Sequence, residues 1–200
     1  MTETRLPFGG MTDVIHFLME IDKLKRVERR TRLQEQGRHE NSAEHSWHFA
    51  MAAMSLAPWM RAGVNLSRII QMALLHDIVE IDTGDVLVYD IAAREAIAEQ
   101  EARAAERLFG LLPDPQRTTF LHLWQEYEAG ITLDAQFACA LDRILPVLQN
   151  LHNEGQSWRE NNISLEQVLS RNAHVGDIWP DLWGHVKAQL LVAHEKGWLR

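Results

Sequence analysis

The chain has 200 residues, which is enough for one well-packed domain and small for two. Its formal net charge is -8, whereas a protein that reads a long nucleic acid is normally basic, because it must displace phosphate counterions. A single cysteine, Cys139, excludes an internal disulfide and a cysteine-rich zinc site, and it fits a reducing compartment. No apolar run reaches the roughly 20 residues that span a membrane. We therefore expect a cytoplasmic protein that handles a small anionic molecule and binds neither nucleic acid nor a membrane.

Helical periodicity dominates the chain, with apolar residues recurring three and four positions apart. The first predicted helix runs from Thr12 or Asp13 to about Val27, and a loop from Arg29 to Asn41 follows it. The second helix is capped by Ser42 and ends between Pro58 and Gly63, and the third begins at Asn65 or Ser67 and ends near Asp82 to Gly84. Three further helices are predicted over 92–108, 115–127 and 133–151. The third helix is apolar nearly all round, which predicts that it is the most buried.

The remaining residues predict shorter helices and almost no strand. Pro146 should kink or break the helix in which it lies. Ser164 with Gln167 resembles a capping box, and Asp181 can cap a last helix over 182–195. Alternating apolar and polar residues occur only in fragments such as Val86 to Tyr89. The sequence therefore predicts an all-α, single-domain helical bundle over residues 1–200.

The segment with the clearest chemistry directly follows the third predicted helix. His76, Asp77 and Glu80 come after its apolar residues, and burying charged groups without partners or a metal is costly. On a helix His76 and Asp77 lie about 100° apart, so both can reach one ion beside the axis. Glu80 lies one turn beyond His76 and could hold a water molecule. The pattern indicates a metal site.

Two further residues on other predicted helices complete a ligand set. His45 lies near the start of the second helix, and Asp142 lies among apolar residues of the helix over 133–151. Alone, His45 could be a surface residue at a helix start and Asp142 could pair with Arg143. The ordered set of His, His-Asp and Asp on separate helices favours one divalent metal ion. Two imidazoles and two carboxylates suit Mn, Co, Fe, Ni or Zn better than Mg.

This ordered set resembles the metal-ligand pattern of the HD-domain phosphohydrolases and, within them, the HD-domain 5'-nucleotidases of the bacterial 5'-deoxynucleotidase type. The resemblance covers roughly residues 14–150, the core of the metal site, on which the helices of 151–200 would pack. The matching residues are Leu24-Lys25-Arg26-Val27 with Arg29, Glu44-His45-Ser46, His76-Asp77 with Glu80, Gly84-Asp85, the segment from Leu123 to Glu128, and Asp142.

The resemblance implies a role for each matching residue. The metal ligands would be His45, His76, Asp77 and Asp142. Glu80 would position or activate the attacking water. Arg29 would bind the substrate phosphate, and Asp85 would contact the sugar hydroxyl or the leaving oxygen. Arg30 would also contact the substrate, at the position where the deoxynucleotidases carry a Trp that excludes ribose. The implied activity is removal of the 5'-phosphate from nucleoside or deoxynucleoside monophosphates by a homodimer.

Two alternatives remain open from the sequence. The first is an HD hydrolase of another small phosphorylated nucleotide such as an alarmone, although Ile81 separates the Glu80 and Asp82 that would be adjacent in that class. The second is a non-catalytic helical module that binds a metal or a nucleotide. The tryptophans of the C-terminal third also have two interpretations, core packing or a dimer surface. They are Trp158, Trp179, Trp183 and Trp198.

Overall fold

The protein, described here from a computed structural model, consists mainly of helices. The structure describes residues 6–35, 37–86 and 91–200, without the side chains of 91–95. The α-helices are α1 (Thr12–Ile21), α2 (Ser42–Leu56), α3 (Leu66–Leu75), α4 (Glu80–Thr83), α5 (Ile91–Phe109), α6 (Gln116–Ala129), α7 (Leu133–His152), α8 (Gln156–Glu160), α9 (Leu165–Arg171), α10 (Val175–Ile178) and α11 (Pro180–Glu195). Single-turn 3-10 helices cover Gly9–Met11, Asp22–Arg26, Ala57–Trp59 and His76–Val79. The expected all-α class is confirmed.

The segment between the first two helices contains the small sheet of the fold. Strands β1 (Glu28–Arg32) and β2 (His39–Asn41) pair antiparallel, so the prediction of a loop over these residues was wrong. The residues of β1 and β2 that turn inward are Thr31 and Glu40, both polar. Because hydrophobic periodicity registers only apolar residues, it could not detect these strands. Most of the Val86 to Tyr89 fragment lies outside the described residues.

Several helix ends differ from the predicted ones for local reasons. Helix α1 ends at Ile21, and a 3-10 helix continues to Arg26. Asn41 rather than Ser42 caps α2, because its side chain accepts the Glu44 N–H in a reciprocal capping box. The first turn of α11 begins with Pro180, which is well suited to that position because the N–H that it lacks would have no intrahelical partner there.

Other predicted features of the helices agree with the structure. Asn65 caps α3, and Ser164 with Gln167 forms the expected capping box at the start of α9. Pro146, by contrast, does not break its helix, because α7 continues through it, so that part of the prediction was wrong. The short helices α8 and α10 were not predicted, because four or five residues show no full hydrophobic period.

Helix α7, rather than α3, is the central element of the bundle. Helix α3 packs against α2, α6 and α7, but its Leu74 is 48 % exposed and fewer of its side chains are buried than those of α7, so the expectation that it is the most buried helix was wrong. Helix α7 contributes buried side chains to two hydrophobic clusters. Its Phe137 and Leu141 pack among α2, α3, α5 and α6, whereas Ile144 and Val147 pack among the C-terminal helices. The same helix thus connects the metal-site region to residues 151–200.

The C-terminal tryptophans belong mainly to this core. Trp158, Trp179 and Trp183 are buried, and the Trp179 ring lies 5.6 Å from the Phe137 ring, centroid to centroid. Core packing is therefore the observed role of these three. The tryptophans that are largely exposed lie elsewhere, at Trp47 and Trp59. Within the described ranges, no helix combines the length and the apolar character needed to cross a membrane.

We predict that Phe137 is a major stabilising residue of the larger hydrophobic cluster, in which it packs against Trp179. Phe137→Ala should lower the free energy of unfolding by about 3–5 kcal/mol, because it leaves a cavity between α7 and Trp179. The matched control is Phe8→Ala, since Phe8 is exposed and should cost within about 0.5 kcal/mol. Urea unfolding followed by circular dichroism and by tryptophan fluorescence measures both. Equal losses in the two variants would contradict the prediction.

Candidate metal centre

The His76-Asp77 pair lies on a tight turn rather than on a regular α-helix. Helix α3 ends at Leu75, the 3-10 helix His76–Val79 follows, and α4 begins at Glu80. All four side chains of the 3-10 helix are buried. The sequence places the ionisable pair directly after the apolar residues of α3, so the pair enters the interior of the bundle with them.

His76 is held with one ring nitrogen facing the site. Its Nδ1–H donates to the Ala73 carbonyl at 3.0 Å, which fixes the ring and leaves Nε2 for the site. Nε2 is buried, has no hydrogen-bond partner among the described residues, and lies 3.0 Å from Asp77 Oδ1. Burial disfavours the charged ring, but the carboxylates of Asp77 and Asp142 outweigh burial and raise the pKa of His76 to about 9.

His45 and Asp142 meet across the bundle, from α2 and α7. His45 is fully buried, and its Nε2 lies 2.9 Å from Asp142 Oδ1. Asp142 Oδ2 accepts a hydrogen bond from the Tyr127 hydroxyl at 3.1 Å, which orients the carboxylate. Burial acts to raise the pKa of Asp142, but its hydrogen bond and charge interaction with His45 hold that pKa well below the ordinary value. The Asp142 carboxylate is therefore an anion.

Three of the four residues expected as metal ligands converge. His45, His76 and Asp142 each offer one ligand atom, and these atoms all lie within 4.8 Å of one another. Asp77 lies beside this group, with its Oδ1 3.0 Å from His76 Nε2, while its Oδ2 accepts a hydrogen bond from Arg29. Two imidazole nitrogens with carboxylate oxygens, including the unpartnered His76 Nε2, form a donor set that suits a divalent transition metal.

Arg29 extends from β1 into this group of carboxylates. Its Nη1 donates to Asp77 Oδ2 at 2.7 Å and lies 3.6 Å from Asp85 Oδ1. Burial disfavours the charged guanidinium, but the charges of Asp77, Asp85 and Glu80 outweigh burial and raise its pKa. Arg29 is therefore a fixed buried cation beside the candidate ligands, and β1 places it there. Its neighbour Arg30 is exposed at the entrance of the same cleft.

Glu80 and Asp85 are carboxyl groups suited to carrying a proton. Burial raises the pKa of Glu80 well above its ordinary value, and the nearby charges of Asp77 and Asp85 add to this effect. The Ser42 hydroxyl donates to Glu80 Oε2 at 2.6 Å and fixes the side chain. Burial likewise raises the pKa of Asp85, against the opposing effect of Arg29. Both groups line the same cleft as His76.

The cleft over the site encloses about 200 Å³ and extends towards the C-terminal helices. One part of its lining consists of the ionisable side chains of Arg29, His76, Asp77, Glu80, Asp85 and Asp142. Its outer wall includes Arg143 of α7, Trp158 and Asn161 around α8, and Asn172 after α9. The C-terminal helices thus form one side of the cleft, in addition to packing on α7.

Three residues that contact the site side chains were not assigned roles from the sequence. Ser42 bonds Glu80, Tyr127 bonds Asp142, and Glu40 lies 3.7 Å from His45. Tyr127 belongs to the segment matched by resemblance, which could have pointed to it. Glu40 lies on β2, within the segment predicted as a loop, so no periodicity pointed to its burial.

Comparison with known proteins gives relatives described as phosphohydrolases and 5'-deoxynucleotidases. The chain is 41 % identical to the crystal structure described as a predicted metal-dependent phosphohydrolase from Magnetospirillum magnetotacticum MS-1, with a TM-score of 0.88, covering 94 % of this chain and 97 % of that chain. It is 34 % identical to the 5'-deoxynucleotidase HDDC2 of Xenopus laevis over 142 residues, which are 70 % of this chain and 69 % of the relative. It is 31 % identical to a 5'-deoxynucleotidase of Citrobacter koseri over 152 residues, which are 70 % of this chain and 76 % of that relative.

The family match covers most of the fold. The sequence matches the family described as HD domain over residues 21–183, from the end of α1 into α11. The matched range contains every candidate ligand and both strands. The expected resemblance is confirmed, and the chain is a member of the HD-domain family.

Proposed function

We propose that this protein is a metal-dependent phosphomonoesterase that removes the 5'-phosphate from nucleoside and deoxynucleoside monophosphates. The observation that carries the proposal is the convergence of ligand atoms from His45, His76 and Asp142 within 4.8 Å, beside the buried cation Arg29. The names of the relatives from Xenopus laevis and Citrobacter koseri support the substrate class. A metal site alone would need neither the Arg29 guanidinium nor the buried carboxyl group of Glu80.

The proposed cofactor is one divalent ion, held by His45, His76, Asp142 and Asp77. Mn, Co, Fe, Ni or Zn fits the two imidazoles better than Mg, which prefers oxygen ligands. When bound, such an ion lowers the pKa of a water molecule and polarises a phosphoryl oxygen.

The protein's own residues have complementary tasks in the proposed reaction. Arg29 binds the phosphate through its planar guanidinium, which matches two phosphate oxygens. Glu80, fixed by Ser42, orients the attacking water and accepts its proton, for which a raised pKa makes a carboxylate the stronger base. The water oxygen bonds to phosphorus, the bond from phosphorus to O5' breaks, and Asp85 supplies a proton to the leaving oxygen. The products are a nucleoside and inorganic phosphate.

The sugar preference depends on the residue beside Arg29. Arg30 occupies the position at which the resembling deoxynucleotidases carry a Trp, and it lies exposed at the cleft entrance. We propose that Arg30 contacts the substrate there without the aromatic wall that excludes ribose. Ribonucleotides and deoxyribonucleotides should then both be accepted.

We also propose a cytoplasmic homodimer. Helix α2 exposes Trp47, Met51 and Met54, which follow one another at four and three residues and so share one face. Tryptophan is enriched at protein interfaces, and grouped exposed apolar side chains mark interaction surfaces. The proposed compartment rests on the cysteine content, since the single cysteine, Cys139, fits a reducing environment.

The activity is tested by phosphate release from a panel of nucleotides. We expect metal-free protein to be inactive, and Mn²⁺, Co²⁺ or Zn²⁺ to restore hydrolysis of 5'-monophosphates in both ribose and deoxyribose forms. Nucleoside 3'-monophosphates, alarmones and cyclic dinucleotides form the comparison set. Preferred cleavage of an alarmone would replace the proposed substrate class, and metal binding without any turnover would indicate a non-catalytic module.

The proposed ligand set is tested by metal content. His45→Ala should reduce bound metal, measured by elemental analysis after gel filtration, from about one ion per chain to a small fraction, because tight binding needs the full ligand count. The matched control is His185→Ala, since His185 is exposed on α11. Retention of a full equivalent of metal by His45→Ala would remove His45 from the ligand set.

The role of Glu80 is tested by separating binding from turnover. Glu80→Gln should retain metal and leave KM nearly unchanged, while kcat falls about 10²–10⁴-fold, because the group that accepts the proton is lost. The control is Glu99→Gln, on the exposed face of α5, which should behave as the wild type. Unchanged kcat in Glu80→Gln would exclude the assigned role.

A further inference from the structure

Three buried polar atoms without hydrogen-bond partners meet beneath the candidate metal centre. They are Glu40 Oε2, His45 Nδ1 and Arg29 Nε, each unsatisfied among the described residues. His45 Nδ1 lies 3.7 Å and Arg29 Nε lies 3.8 Å from the same Glu40 oxygen. Buried polar atoms are usually paired, so three unpaired atoms around one point call for an explanation.

The Glu40 carboxylate is anchored from its other oxygen. Glu40 is 1 % exposed, and its Oε1 accepts a hydrogen bond at 3.0 Å from Gln149 Nε2 of α7. Burial acts to raise the pKa of Glu40, but the close approach of His45, the charge of Arg29 and the Gln149 hydrogen bond outweigh burial and lower that pKa. The Glu40 side chain is therefore buried with one oxygen fixed by Gln149 and the other facing His45 and Arg29.

The two ring nitrogens of His45 face different partners. Nε2 lies at the candidate metal centre, 2.9 Å from Asp142 Oδ1, while Nδ1 points towards Glu40. A metal-binding histidine usually donates its other ring N–H to a carboxylate or a carbonyl, which fixes the ring and strengthens the ligand. His76 has such an acceptor in the Ala73 carbonyl. For His45, Glu40 Oε2 is the acceptor that the structure offers.

We propose that Glu40 is a positioning residue for the metal centre, whose Oε2 accepts the Nδ1–H of His45 while Nε2 serves as the ligand, with Arg29 as the balancing cation. The proposal rests on the metal site of the proposed function. It connects strand β2, through Glu40, to the ligand on α2, and through Arg29 to the phosphate-binding position. The four residues matched as metal ligands from the sequence do not by themselves reveal this connection through Glu40.

A purely structural role predicts a different behaviour. The hydrogen bond between Glu40 and Gln149 also ties strand β2 to helix α7, so Glu40 could serve only to hold the hairpin in place. In that case any carboxyl–amide pair at the two positions would suffice. Exchanging the two side chains retains the buried pair and its charge but moves the carboxylate from β2 to α7, away from His45.

The experiment compares Glu40→Gln with the exchanged double variant Glu40→Gln/Gln149→Glu. Co²⁺ affinity is measured by titration of the metal-free full chain, followed by the visible absorption of the bound ion. We expect Glu40→Gln to bind Co²⁺ about 10–100-fold more weakly than the wild type, the usual cost of losing such a partner. We expect the exchanged variant to be equally weak. Recovery of wild-type affinity in the exchanged variant would overturn the proposal in favour of hairpin anchoring.

The matched control is Glu44→Gln, which also removes a carboxylate beside His45 in the sequence. Glu44 bonds Arg38 and the Asn41 backbone N–H in the capping box of α2, so its loss should lower the melting temperature and leave Co²⁺ affinity unchanged. A second measurement uses only the wild type, so it does not depend on whether a variant folds. In the Zn²⁺-loaded wild type, NMR of labelled histidine should show a slowly exchanging Nδ1–H on His45, and its absence would overturn the proposal.

The outcomes separate this proposal from the proposed function. Wild-type Co²⁺ affinity in Glu40→Gln, with turnover of nucleotides intact, overturns the role of Glu40 alone. If both variants bind Co²⁺ more weakly but the wild type releases no phosphate from any nucleotide, the positioning role of Glu40 is supported and the proposed enzymatic function is overturned. A wild type that binds no divalent ion overturns both.

Discussion

The ion pair of Arg29 with Asp77 is the interaction on which the geometry of the site depends. Four buried carboxylates, those of Glu40, Asp77, Glu80 and Asp85, surround this one guanidinium or lie within its field. Without the cation, burial and mutual repulsion would force protons onto several of them. Arg29 therefore allows an anionic ligand set to exist inside a hydrophobic bundle. The carboxyl groups nevertheless differ: against the effect of burial, the charges of His76 and Arg29 lower the pKa of Asp77 to about 2, whereas burial and the charge of Asp77 raise the pKa of Glu80 well above its ordinary value.

The site is assembled from elements that are distant in sequence and joined by the core. Strand β1 carries Arg29, helix α2 carries His45, the turn after α3 carries His76, and α7 carries Asp142. Helix α7 also packs against the C-terminal helices, which supply the outer wall of the cleft. A displacement of α7 would therefore move the candidate ligand Asp142 and at the same time open the cleft. Ser42 fixes one oxygen of Glu80, and Tyr127 fixes one oxygen of Asp142 while the other faces His45.

The sequence predicted the longer helices because their apolar faces repeat with the helical period. Helix α6 and helix α7 lie within a few residues of their expected bounds. The hairpin was missed because its inward residues, Thr31 and Glu40, are polar and leave no apolar pattern in the sequence. The turn at His76 was predicted as helix because a 3-10 turn of four residues has the same local composition as an α-helix.

The sequence by itself determined the all-α class, the chemistry of the candidate ligands and their order along the chain. Residue types and spacing carry that information, because they depend on local periodicity and on the donor atoms of each side chain. Only the tertiary structure decided that Asp77 shares its carboxylate with Arg29, that Glu40 is buried under His45, and that Asn172 lines the cleft. These are contacts between residues far apart in sequence, and burial, which sets their charge states, exists only when the core is packed.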